Sequence, residues 1–65
     1  MGDFAPEVKR ILREHDCYFV GQGKGDHEMW KSPISGKSVP VDHKITSRHT
    51  ANGIMKQAGL PKAFK

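Results

Sequence analysis

At 65 residues with 35% hydrophobic content, the chain has room for one domain, residues 1–65, and a thin core; such a domain buries only about 60% of its unfolded surface, which leaves no space for a deep cofactor pocket. The single cysteine, Cys17, excludes an internal disulfide and suits a reducing cytoplasm, and no apolar run approaches the roughly 20 residues of a membrane span. The net charge of +4 and the excess of Lys and Arg over Asp and Glu from Gly21 onward point to a polyanionic partner.

Near the start, Asp3 and Glu7 with no apolar run predict no signal peptide. Phe4, Val8, Ile11, Leu12 and His15 recur at helical spacing and predict a first helix over about 5–15. Pro6 suits its first turn, and Asp3 is placed to cap it. Cys17-Tyr18-Phe19-Val20 is aromatic and β-branched, the composition of a strand. Gly21-Gln22-Gly23-Lys24-Gly25 follows as a flexible basic connection. His27-Glu28-Met29-Trp30-Lys31 is the second strand. Alternation puts His27, Met29 and Lys31 on one face and Glu28 with Trp30 on the other, so Trp30 reads as core.

Ser32-Pro33-Ile34-Ser35-Gly36 is a turn. Ser38-Val39-Pro40-Val41 is a third strand, and Pro40, lacking a ladder donor, assigns it to an edge. After the loop Asp42–Thr46, Ser47 is the N-cap of a second helix whose inward stripe is Ala51, Ile54, Met55 and Ala58. Gly59, Leu60 and Pro61 stop that helix. The order helix, strand, strand, strand, helix predicts an α+β fold, with two helices packed on one face of a three-stranded antiparallel sheet.

The run from Ile11 to Gln22 and the segments Gly25-Asp26-His27-Glu28, Val39-Pro40-Val41-Asp42-His43, Ser47-Arg48-His49-Thr50-Ala51-Asn52 and Ile54-Met55-Lys56-Gln57-Ala58-Gly59-Leu60, in this order and spacing, resemble the HicA family across nearly the whole chain. The resemblance implies a fold like that of a double-stranded-RNA-binding domain. It also implies the toxin of a type II toxin–antitoxin pair, cleavage of messenger RNA, and silencing by a HicB-like antitoxin. The family's Gly-Ser-His motif falls on Gly25, Asp26 and His27, which makes His27 the expected catalytic residue; Asp26 departs from the usual serine.

The residues suit that chemistry. Imidazole titrates near neutral pH and could deprotonate a ribose 2′-OH. Lys24 and Lys31 could steady phosphate charge, and Gly23 and Gly25 would let a phosphate approach the backbone. Arg48 and His49 open the second helix, where free N–H groups bind anions. Lys24, Gly25, Lys31, Arg48 and Lys56 are the expected RNA contacts. His15, Cys17, His27, His43 and His49 match no metal-ligand spacing, so no metal is expected. Taken without the resemblance, a histidine in a strand is ordinarily a half-buried polar residue. The alternative function is a non-catalytic RNA-binding or partner-binding module of the same fold.

Overall fold

The computed structural model describes residues 3–23, 25 and 27–64. Its elements are α1 (Ala5–Glu14), β1 (Tyr18–Gln22), β2 (His27–Lys31), β3 (Ser38–Asp42) and α2 (Arg48–Gln57). The three strands form one antiparallel sheet in the order β1-β2-β3. Both helices cover the same face: Val8 and Leu12 of α1 and Ala51 and Met55 of α2 are fully buried, together with Val39 and Val41 of β3 and, nearly so, Trp30 of β2. This is the α+β arrangement expected from the hydrophobic periodicity, with Pro40 on an edge strand. Trp30 joins the core as alternation requires, edge-on to Phe19 and beneath the Arg13 guanidinium.

One expectation about the elements needs correction. The strand that was expected to end at Val20 runs on to Gln22, so Gly21 and Gln22 belong to the sheet and not to a flexible connection. Gly21 pairs with Met29 and Gln22 with Glu28, after a bulge between Phe19 and Gly21. Pairing along β2 thus overrides the weak strand propensity of a glycine. His15, which ends the stripe and suits either a packing or a helix-C-terminal role, takes the second: it is the exposed C-cap of α1, with its Nδ1 2.9 Å from the Ile11 carbonyl oxygen.

Both helices close with paired backbone bonds. At the end of α2, Leu60 N–H donates to Met55 O (2.8 Å) and Gly59 N–H to Lys56 O (3.0 Å), with Gly59 at φ +79°. At the end of α1, Cys17 N–H donates to Leu12 O (2.9 Å) and Asp16 N–H to Arg13 O (3.1 Å), with Asp16 at φ +65°. The two ends share one geometry, in which a left-handed residue lets the chain turn back and satisfies the last carbonyls.

Long-range ties fix the ends of the sheet. Ser32, fully buried, donates its hydroxyl to Ala58 O at 2.6 Å and so joins the β2–β3 turn to the end of α2. At the opposite end, the Asp3 carboxylate accepts from Ala5 N and from Ile45 N, while Phe4 N–H donates to Ile45 O. The N-cap position of α1 is Phe4, so Asp3 serves the helix start from one residue earlier than a capping side chain and also clamps the loop that follows β3. These two backbone bonds hold its carboxyl below the usual carboxylate range.

Candidate active site

His27 begins β2 on the sheet face away from the helices, in line with Met29 and Lys31. Antiparallel register sets Asp42 directly opposite His27, Pro40 opposite Met29 and Ser38 opposite Lys31. Residues so paired share a face, with Cβ atoms typically about 5 Å apart. On the other flank, Gly23 N–H donates to His27 O at 2.9 Å. A Cβ at Gly23 would lie 2.7 Å from both Cδ2 and Nε2 of His27 and 3.1 Å from Met29 Cγ. The imidazole thus lies against bare backbone, in space that any side chain would fill. The expectation that Gly23 admits a phosphate is corrected accordingly: its open side is occupied by His27. Gly25, at φ +73°, has nothing within 4 Å of its own Cβ position and remains open to a ligand. Lys24 and Asp26 lie outside the described residues.

His27, Asp42, His43 and Lys44 line an open depression of about 450 Å³. The loop carrying the last two is set from below. Ile45 is buried and tied to Asp3 and Phe4, which leaves Lys44 exposed at the rim. His43 is held from the side: Gln22 Nε2 donates to its Nε2 at 3.1 Å, which puts the imidazole proton on Nδ1, 3.9 Å from Glu28 Oε2. Glu28 is the hub of this support. It accepts from Trp30 Nε1 at 3.0 Å and from Lys9 Nζ at 3.1 Å, so one carboxylate joins α1, β2 and the loop after β3. The Trp30 hydrogen bond, followed by Lys9, keeps the Glu28 carboxyl below its ordinary value against the opposing effect of burial.

The other expected contacts divide between two surfaces. Lys31 shares the sheet face with His27. Arg48 and Lys56 do not line the His27 depression; they line a separate cleft along α2. The N–H of His49, considered for anion binding, is taken by Ser47 Oγ at 3.2 Å in the expected cap. Asp42 and Lys44 were missed as site residues. For Asp42 the signal was available, because counting outward from the turn that pairs Lys31 with Ser38 brings it beside His27; Lys44 lies beyond β3 and had none.

Chemically, the depression offers two imidazoles, His27 with the Asp42 carboxylate opposite it and His43, and the Lys44 ammonium group at its rim, open to a bulky, solvated substrate. Among the described residues, no three His, Cys, Asp or Glu side chains are grouped to hold a metal ion, and no helix is long and apolar enough to cross a membrane.

Comparison with known proteins shows the family. A protein-family model described as the HicA toxin of bacterial toxin–antitoxin matches residues 5–60, which spans every helix and strand. No curated protein and no solved structure gives a match.

Proposed function

The chain belongs to the HicA toxin family of bacterial toxin–antitoxin systems, and from that premise we propose that it is an endoribonuclease that cleaves messenger RNA without a metal, with His27 as its acid–base residue. The observation that carries this reading is the depression in which His27 meets Asp42 and Lys44. RNA supplies its own nucleophile. His27 takes the proton from a ribose 2′-OH, and the oxygen attacks the adjacent phosphorus. The P–O5′ bond breaks, and the departing 5′-oxygen takes a proton from solvent, which the open depression admits. The products are a 2′,3′-cyclic phosphate and a 5′-hydroxyl. Lys44, at the rim, offsets charge on the non-bridging oxygens, and Lys31, at the far end of the same strand face about 13 Å away, meets a neighbouring phosphate. Asp42, opposite His27, stabilises the imidazolium that forms.

Gly25 fits the same reading as a point where the phosphate backbone meets the chain closely. Incubating the protein with labelled RNA and its all-deoxy counterpart in excess chelator tests the mechanism. The reading predicts cyclic-phosphate ends from RNA and no cleavage of DNA. Cleavage of both, or cleavage restored only by a divalent ion, contradicts it.

The same face suits a HicB-like antitoxin. A nuclease with an open site needs a cover, and β1 exposes Tyr18 beside Lys31 on this face, with Phe19 and Val20 exposed along the same sheet edge. An antitoxin that lays apolar groups on β1 and acidic groups over Lys31 and Lys44 would exclude RNA. Simultaneous binding of RNA and antitoxin, measured by a gel shift, would rule this out.

A further inference from the structure

The excess charge of the chain sits in its last third. Residues 43–65 carry Lys44, Arg48, Lys56, Lys62 and Lys65 with no Asp or Glu, a net +5, whereas residues 1–42 are net −1. Part of that charge gathers at one place. Arg48, His49 and Lys56 of α2 and Lys62 of the C-terminal tail line an open cleft of about 810 Å³, with no carboxylate among its lining residues.

The cleft is built by the chain and is not a chance grouping of surface lysines. After the α2 stop at Gly59 and Leu60, the tail folds back and is held by the Asn52 side chain. Asn52 Nδ2 donates to Phe64 O at 2.7 Å, and Phe64 N–H donates to Asn52 Oδ1 at 2.9 Å. The Phe64 ring is buried, edge-on to Phe4 at 5.2 Å. This clasp holds Lys62 facing Arg48 and Lys56. Among the described residues, the side-chain ion pairs engage Lys9, Arg10 and His43, and none engages Arg48, Lys56 or Lys62. Like charges held together without counterions repel, and a polyanion relieves that repulsion by displacing its own counterions.

Two features choose among polyanions. Arg48 and Lys56 lie eight residues apart on a helix, about 12 Å along its axis. That span exceeds a single phosphate group and suits a run of backbone phosphates. The lining has one large apolar side chain, Leu60, and no Phe, Tyr or Trp, whereas protein interfaces are anchored by buried Trp and Tyr residues. We propose that this tail-closed cleft is a second RNA site, distinct from the His27 depression, that grips the phosphate backbone of the substrate. The proposal rests on the ribonuclease reading for the identity of its ligand and extends the footprint of that substrate beyond the cleaved bond.

Direct binding keeps the two readings distinguishable. The probe is a fluorescent, uncleavable 2′-O-methyl RNA of about twenty nucleotides, titrated by anisotropy across a salt series; each lost phosphate contact flattens the slope of log Kd on log salt by about 0.7. Arg48→Gln, Lys56→Gln and Lys62→Gln combined should flatten it by about two and weaken binding roughly tenfold or more at low salt. Lys37→Gln, an exposed cation at the β2–β3 turn, is the control. Asn52→Ala, which releases the tail, should weaken binding as Lys62→Gln does; if it fails to fold, the exposed Lys62→Gln change carries that arm. Cleft variants that change binding no more than Lys37→Gln overturn the proposal. So does lost affinity for a polyglutamate peptide with RNA binding intact, which would assign the cleft to an acidic protein. Cleft-dependent binding by a chain that cleaves nothing would leave this site standing and remove only the ribonuclease reading.

Discussion

At the scale of single residues, His27 owes its position to what Gly23 lacks. The alternation of β2 put His27 on the open face, and that much was legible from the sequence. Its seat was not, because Gly23 belongs to a glycine-rich run whose pairing emerges only once β1 is registered against β2. Gly23→Ala brings a methyl carbon to 2.7 Å from the imidazole, so the ring must move. We predict that RNA cleavage falls at least about tenfold, the effect of a base misplaced by roughly an ångström, while RNA affinity and the far-ultraviolet dichroism stay near those of the native chain. Unchanged turnover would mean that the ring position is immaterial.

Glu28 is a second case. Alternation turned it inward, but its partners Lys9 and His43 come from distant segments that no local pattern identifies. Its carboxyl titrates below the ordinary value in the folded chain. The unfolded chain therefore takes up the proton first as the solution is acidified. The stabilisation is complete above about pH 5 and is lost as pH falls from about 4.3 through the folded value. Glu28→Gln should be less stable than the native chain at neutral pH and should lose less stability between about pH 6 and 3. Urea midpoints at the two pH values measure this, and parallel losses in both proteins would contradict it.

Among the elements, the helix ends show what local sequence reveals and what it conceals. Gly59 announced the end of α2, since glycine accepts a left-handed backbone without strain. The end of α1 uses the same pair of hydrogen bonds with Asp16 in the left-handed position, and an aspartate carries no such signal. Gly59→Ala should cost about 1–2 kcal/mol from backbone strain alone, roughly 5–15 °C in a domain this small. Contact adds to this, because the new methyl would lie 2.9 Å from Ile34 Cγ2. Asp16→Gly should act in the opposite direction, raising stability by up to about 1 kcal/mol. Thermal melts of the two variants check both signs, and a Gly59→Ala protein as stable as the native chain would refute the account of this helix end. The strand error has the same origin. Gly21 and Gln22 lack strand propensity, and their place in β1 comes from the partner strand.

For the molecule as a whole, the helices occupy one sheet face and leave the other to His27, Lys31 and their neighbours. The fold class, element order and edge position of β3 followed from periodicity and turn chemistry. The division of the basic residues between two surfaces did not, because it depends on where α2 and the tail pack. Separate surfaces for cleavage and grip imply that chemistry and affinity can be lost independently. Whether His27 is the acid–base residue is decided by comparing the native chain with His27→Ala, measuring RNA cleavage and RNA binding on the same preparations. We predict that cleavage falls by roughly a hundredfold or more, as expected for loss of a general base, while the dissociation constant changes little. Cleavage that persists in His27→Ala, with the protein shown free of contaminating nuclease, would contradict it.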